Sequence, residues 1–229
     1  MDNLNACIFQ YRNEPYELEF ERILTGITAC YKMMIKDNVS VPSNDEDRIR
    51  DVLYNNYLNN NRVRNNLKLN YYIFDCEVAE YDKNGNLAGF LDLKVSTQNR
   101  FFDSNAYYSI ECKRLDNKKL SGVTGLNADY IKEGIMRFVT ERYSSHSGIN
   151  GMIGFVVEKI NIDSNIKSIN ELLINNFKDA NTQKKLTHVG FIKKFKHSYY
   201  SIHTDIENKK IKLYHLMFDL SKNIKGGTL

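Results

Sequence analysis

Tryptophan is absent from this chain of 229 residues, and proline occurs only twice. The lack of proline excludes long Pro-rich spacers. Aromatic packing falls to 15 tyrosines and 12 phenylalanines. The four cysteines, Cys7, Cys30, Cys76 and Cys112, are widely spaced and include no CxxC pair. A zinc site needs a tight Cys/His cluster, so the cysteines read as buried free thiols in a reducing cytoplasm. The N-terminal residues lack the basic-then-apolar pattern of an export signal, and no apolar run reaches membrane-spanning length. A soluble cytoplasmic chain with no membrane partner is the expectation. A nucleotide-binding P-loop is missing too, so any ATP dependence would come from a partner.

What is present is an ordinary globular balance, with 42% hydrophobic and 26% charged residues. The length suits one substantial α/β domain over 1–229, and two small domains are not required. The net charge of +4 permits nucleic-acid binding without demanding it. An acidic metal site would offset part of any basic groove.

Apolar residues recur at helical spacing from Leu18 to Met34, predicting an amphipathic helix over 16–35. An extended stretch from Val39 to Val41 follows. Ser43-Asn44-Asp45 reads as a helix start, and the next helix turns Ile49, Val52, Leu53 and Tyr57 inward. The Asn-rich stretch 55–70 reads as loop or weak surface helix. Strand formers fill 71–81 and 88–95, joined by a turn at 82–86 that contains Asn-Gly. A polar loop leads to a third strand, 107–113, which suggests an antiparallel start to a sheet. The period then changes to a helix over 127–143 and a buried strand over 151–158, a βαβ unit with a parallel crossover. A helix near 166–177, capped at Asp163 or Ser164, precedes two late strands at 199–203 and 211–218, either side of a turn at 207–209.

Asp92 lies between apolar neighbours in the strand GFLDLKV, and Glu111 and Lys113 lie in YYSIECK. Residues two apart on a strand share a face, so Glu111 and Lys113 point together, with Ile110 and Cys112 turned the other way. An adjacent strand brings Asp92 beside Glu111. Two carboxylates facing one volume suit Mg²⁺ or Mn²⁺, and an ammonium beside them can orient water or meet developing charge. The plainer alternative is a solvated strand acid and a surface ion pair of little worth.

This pattern, an acid on one strand and E-x-K on the next, resembles the PD-(D/E)XK nuclease superfamily. The likeness covers about residues 44–158, in Leu91-Asp92 and then Glu111-Cys112-Lys113. The proline that gives the motif its first letter is absent here. The resemblance implies a restriction-endonuclease-like αβββαβ core, with a mixed central sheet flanked by helices. The helix at 16–35 and the elements over 164–220 would be added to it.

It also implies a metal held by Asp92, Glu111 and the backbone carbonyl of Cys112. Such nucleases carry a further acid on a helix before the sheet. Glu46 is the candidate here, or else an acid that complements the helix dipole. Asp47, Asp51 and Glu77 are substitutes. Lys132 and Arg137, on the helix after the motif, would meet phosphate or be solvated charges. Arg114 and the C-terminal Lys193 and Lys194 are further candidates for nucleic-acid contact. Lys184, Lys185 and Lys196 belong to the same aromatic-rich basic stretch. His203 and His215 read as core histidines.

The expected activity is cleavage of DNA by an endonuclease, in phage defence by family analogy, acting as a homodimer or within a defence complex. The alternatives are an inactive nucleic-acid-binding or assembly subunit, and an RNase or tRNA-directed toxin.

Overall fold

A computed structural model describes residues 16–81, 85–101, 103–140 and 146–224. A seven-stranded mixed sheet runs through it in the order β1-β2-β3-β4-β7-β6-β5, with helices on both faces. The strands are β1 (Ile73–Tyr81), β2 (Leu87–Ser96), β3 (Tyr107–Leu115), β4 (Ile149–Val156), β5 (Thr182–His188), β6 (Ser198–Thr204) and β7 (Lys210–Asp219). β1, β2 and β3 are antiparallel, β3, β4 and β7 are parallel, and β7, β6 and β5 are antiparallel again. β1, β2, β3, the following helical segment and β4 come in the expected order.

The first face is covered by α1 (Tyr16–Lys36), α2 (Glu46–Leu53) and α3 (Asn61–Leu67). α1 buries Phe20, Ile23, Leu24, Ile27 and Met34, with acids in its first turn and Lys36 in its last. These side chains meet Leu93, Val95, Tyr108, Ile110 and Cys112 from the sheet. The Asp45 carboxylate caps α2 by accepting the Arg48 N–H at 2.8 Å. α2 continues as a π turn (Tyr54–Leu58), and Asn60 then caps α3 through the Arg62 and Val63 N–H groups. Most of the Asn-rich stretch is therefore ordered helix. Val41 pairs in parallel with Ile224, where the extended stretch was expected.

The second face is covered by α4 (Leu126–Tyr130), a π turn (Ile131–Ile135), α5 (Met136–Val139) and α6 (Ile162–Asn175). They bury Tyr130, Ile131, Phe138, Ile169 and Leu172 against Leu115, Met152, Leu213 and Met217. The helix expected over 127–143 is thus interrupted, and 141–143 lie outside the described residues. The last helix starts earlier than expected, at Ile162, because the Asn161 side chain caps it through the Ser164 N–H. β5 was not expected at all. The first three residues of the turn at 82–86 lie outside the described residues, as does Cys7. Cys30 and Cys112 are buried free thiols, whereas Cys76 is only half-buried. No helix among the described residues is long and apolar enough to cross a membrane.

Two irregularities shape the centre of the sheet. β2 and β3 pair only from Ser96↔Tyr107 to Leu93↔Ile110, so no pairing extends to Asp92. In β1, Glu77 adopts φ 52°, between the pairs Cys76↔Leu93 and Val78↔Leu91 and so opposite Asp92. A left-handed backbone costs an L residue about 1–2 kcal/mol. Alternation breaks along this row: Leu93 packs in the α1 layer and Leu91 in the α4–α6 layer. Kinks of this type re-aim side chains, and here the re-aimed residue is Asp92.

Candidate metal centre

Asp92 fills the fork between β2 and β3. Its Oδ2 accepts the Cys112 backbone N–H at 2.7 Å, in place of a ladder bond. Its Oδ1 accepts from Arg50 Nη1 at 2.8 Å. Glu111 has no solvent exposure. Its Oε1 lies 2.8 Å from both Lys113 Nζ and Arg137 Nη1. Its Oε2 is buried and has no hydrogen-bond partner among the described residues. Burial, reinforced by the neighbouring Asp92 charge, pushes the Glu111 carboxyl up to about 8, although Lys113 and Arg137 pull it down.

Lys113 Nζ is where the oxygens meet. It lies 2.8 Å from Glu46 Oε1, 2.8 Å from Glu111 Oε1 and 4.0 Å from Asp92 Oδ2, and it donates to the Cys112 carbonyl at 2.8 Å. Burial opposes the ammonium charge, but Glu111, Asp92 and Glu46 together outweigh it and raise the lysine pKa above its usual value. The lysine stem passes beneath Gly134 in the π turn, where a Cβ would stand 3.5 Å from Lys113 Cγ. Glu46 arrives from the first turn of α2, and its Oε2 accepts the Arg114 N–H at 2.7 Å.

The sequence candidates thus divide clearly. Asp92, Glu111, Lys113, Glu46 and the Cys112 carbonyl converge. Arg137 joins them through Glu111 and lines an open groove of about 530 Å³ with Lys132, Met136 and Asn176. Lys132 is exposed and pairs with Glu133. Arg114 donates to the Ser43 carbonyl and so holds the loop before α2. Lys193 and Lys194 lie between β5 and β6, where the Lys194 carbonyl accepts from Lys32 of α1. The neighbouring Phe195 packs in the α1 layer, across the sheet from Arg137.

Asp47, Asp51 and Glu77 do not reach Glu111 or Lys113. All three surround Arg50, a residue that sequence reasoning passed over. Its signal was its place one turn after Glu46 and next to Ile49 on the inward side of α2.

His203 and His215 are fully buried. His203 Nδ1 lies 2.9 Å from the Ala180 carbonyl, so it carries the proton. Its Nε2 then accepts from Ser201, whose Oγ in turn accepts from His215 Nε2, leaving His215 Nδ1 to accept the Tyr130 hydroxyl. Every group in this chain is satisfied with both rings neutral. They are core histidines.

Asp92 Oδ2, the unpartnered Glu111 Oε2 and the Cys112 carbonyl are hard oxygen donors of the type Mg²⁺ and Mn²⁺ prefer. Among the described residues, no three carboxylate, imidazole or thiolate side chains already form an ion cage. The cations Arg50, Lys113 and Arg137 stand among the carboxylates instead. Comparison with protein-family models, with curated proteins and with solved structures finds no match.

Proposed function

We propose that this chain is a metal-dependent nuclease that hydrolyses phosphodiester bonds, with a restriction-endonuclease-like core. The observation that carries the reading is the buried, unpartnered Glu111 Oε2 beside Asp92 and Lys113. An acceptor in that condition costs free energy unless a ligand meets it.

Asp92, Glu111 and the Cys112 carbonyl would hold Mg²⁺ or Mn²⁺. A divalent ion there supplies Lewis acidity toward a phosphate oxygen and acidifies water. Asp92 is fixed by Arg50 and the Cys112 N–H, so its orientation is set before any ligand arrives. Lys113, steadied by Glu46, places an ammonium where water must be oriented and where charge develops on the phosphate. Arg137 stands between Glu111 and the open groove, in reach of a phosphodiester backbone. DNA is the proposed substrate. Phage defence, and action as a homodimer or within a complex, rest on family likeness alone.

A second reading is a nucleic-acid-binding subunit with a silent site. It draws on Arg50, Lys113 and Arg137, which already neutralise the carboxylates.

Incubating the chain and its Asp92→Ala and Lys113→Ala variants with Mn²⁺ and duplex DNA, single-stranded DNA or folded RNA separates the two. Cleavage by the wild type alone supports the enzyme and names its substrate. Binding without cleavage by any form favours the silent subunit.

A further inference from the structure

Arg50 is the most heavily bonded cation in the described residues' central cluster. Its side chain is 3% exposed. Nη1 donates to Asp92 Oδ1 at 2.8 Å and Asp47 Oδ1 at 3.0 Å. Nη2 donates to Asp51 Oδ1 and Glu77 Oε1, both at 2.9 Å, and Nε reaches Asp51 at 3.2 Å. Four carboxylates from α2, β1 and β2 therefore share one guanidinium. The left-handed turn at Glu77 lies within this set.

Asp92 divides the space around it. Its Oδ2 faces Cys112 and Lys113, on the side where Glu111 lies. Its Oδ1 faces Arg50, Glu77, Asp51 and Asp47. A two-metal hydrolytic centre spaces its ions about 3.5–4 Å apart, and a carboxylate shared by both lends an oxygen to each. Here one of those oxygens already belongs to a cation of the chain itself.

We propose that Arg50 fills the position of a second divalent ion on Asp92, so that the centre takes one ion per chain. This inference rests on the metal-dependent reading above. A guanidinium cannot lose its proton to make room. Displacing it would break up a charge network in which four carboxylates hold one buried guanidinium, which is strongly unfavourable. Arg50 supplies a permanent positive charge on the Oδ1 side, and the exchangeable ion is confined to the side of Oδ2, Glu111 and the Cys112 carbonyl.

The test is the number of Mn²⁺ ions bound by the full chain, measured by calorimetry and by the electron paramagnetic resonance of free Mn²⁺. The wild type is expected to bind one. Arg50→Gln is expected to bind two, and the second is expected to vanish in Arg50→Gln/Glu77→Gln. Two ions in the wild type, or only one in a folded Arg50→Gln, overturn the proposal. If melting curves show that Arg50→Gln does not fold, the wild-type count decides: one supports the proposal and two overturns it. No Mn²⁺ bound by the wild type removes the metal-dependent reading itself, and this inference with it.

Discussion

Lys113 and Glu46 lie 67 positions apart in the chain and meet at 2.8 Å. The second oxygen of the same carboxylate accepts the Arg114 N–H, so Glu46 ties the start of α2 to β3 by two bonds. Glu46→Ala is expected to slow cleavage about 10- to 100-fold, the usual cost of losing a group that orients a metal-site residue. It should also lower stability by about 1–3 kcal/mol, because the part-buried Arg114 N–H loses its acceptor. Glu46→Gln keeps an acceptor for Arg114 and should restore the stability but not the rate. Urea denaturation beside single-turnover kinetics distinguishes the two effects.

Asp92→Asn keeps the shape of the fork while removing the charge. One amide face can still accept from Cys112 or from Arg50, but not from both as the carboxylate does. Arg50 retains Asp47, Asp51 and Glu77, so the loss of stability should stay near about 1–3 kcal/mol. Mn²⁺ binding should disappear. Calorimetry that showed unchanged affinity would remove Asp92 from the metal site.

The buried histidines give stability a defined acid dependence. Burial lowers His203 to about 4 and His215 well below its ordinary value. An unfolded imidazole titrates near about 6.5. Below that pH the unfolded rings bind protons that the folded rings refuse, so the histidine contribution to stability is fully present above it and is lost as pH drops toward 4. For His203 the loss over this window is on the order of 3 kcal/mol. Between neutral pH and the acid side, the His203→Gln urea midpoint should lose less than the wild type's, with His215 still contributing. Equal pH dependence in the wild type and His203→Gln would mean that the His203 ring is not held neutral.

Gly134 of the π turn packs directly over Met152 and Lys113 of the sheet. A Cβ there would stand 2.4 Å from Met152 Cε. Gly134→Val should cost about 1–3 kcal/mol through overpacking, and should lower activity further by pushing on the Lys113 stem. Thermal melting and cleavage assays report the two effects separately. Full activity in this variant would show that the lysine does not depend on the close approach.

The parts of the fold that were legible in the sequence are those with an apolar period. α1 shows its buried stripe plainly, and β2, β3 and β4 show their apolar runs. β5 was hidden because it is an edge strand with one buried side chain, Leu186. The start of α6 was misplaced because Asn161, Asp163 and Ser164 are all good caps, and only tertiary packing selects the first. The Asn-rich stretch concealed Asn60 as a cap in the same way.

At the site, strand spacing was enough to put Glu111 and Lys113 on one face, whereas the fork that aims Asp92 at Cys112 is a break in that spacing. Arg50 was not legible, because a charged residue beside Ile49 looks solvated until β1 and β2 bring Glu77 and Asp92 against it. The reach of Arg137 to Glu111 likewise depends on how the π turn seats α5 on the sheet.

The most direct test is to mix supercoiled plasmid with the wild type and with Glu111→Gln, in Mg²⁺ or Mn²⁺ and again with chelator. Gln keeps the size of the buried side chain and cannot become a carboxylate. The metal-dependent account predicts nicked or linear DNA from the wild type with metal, and intact plasmid from the variant and in chelator. Equal cutting by wild type and Glu111→Gln, or cutting that persists in chelator, would contradict it.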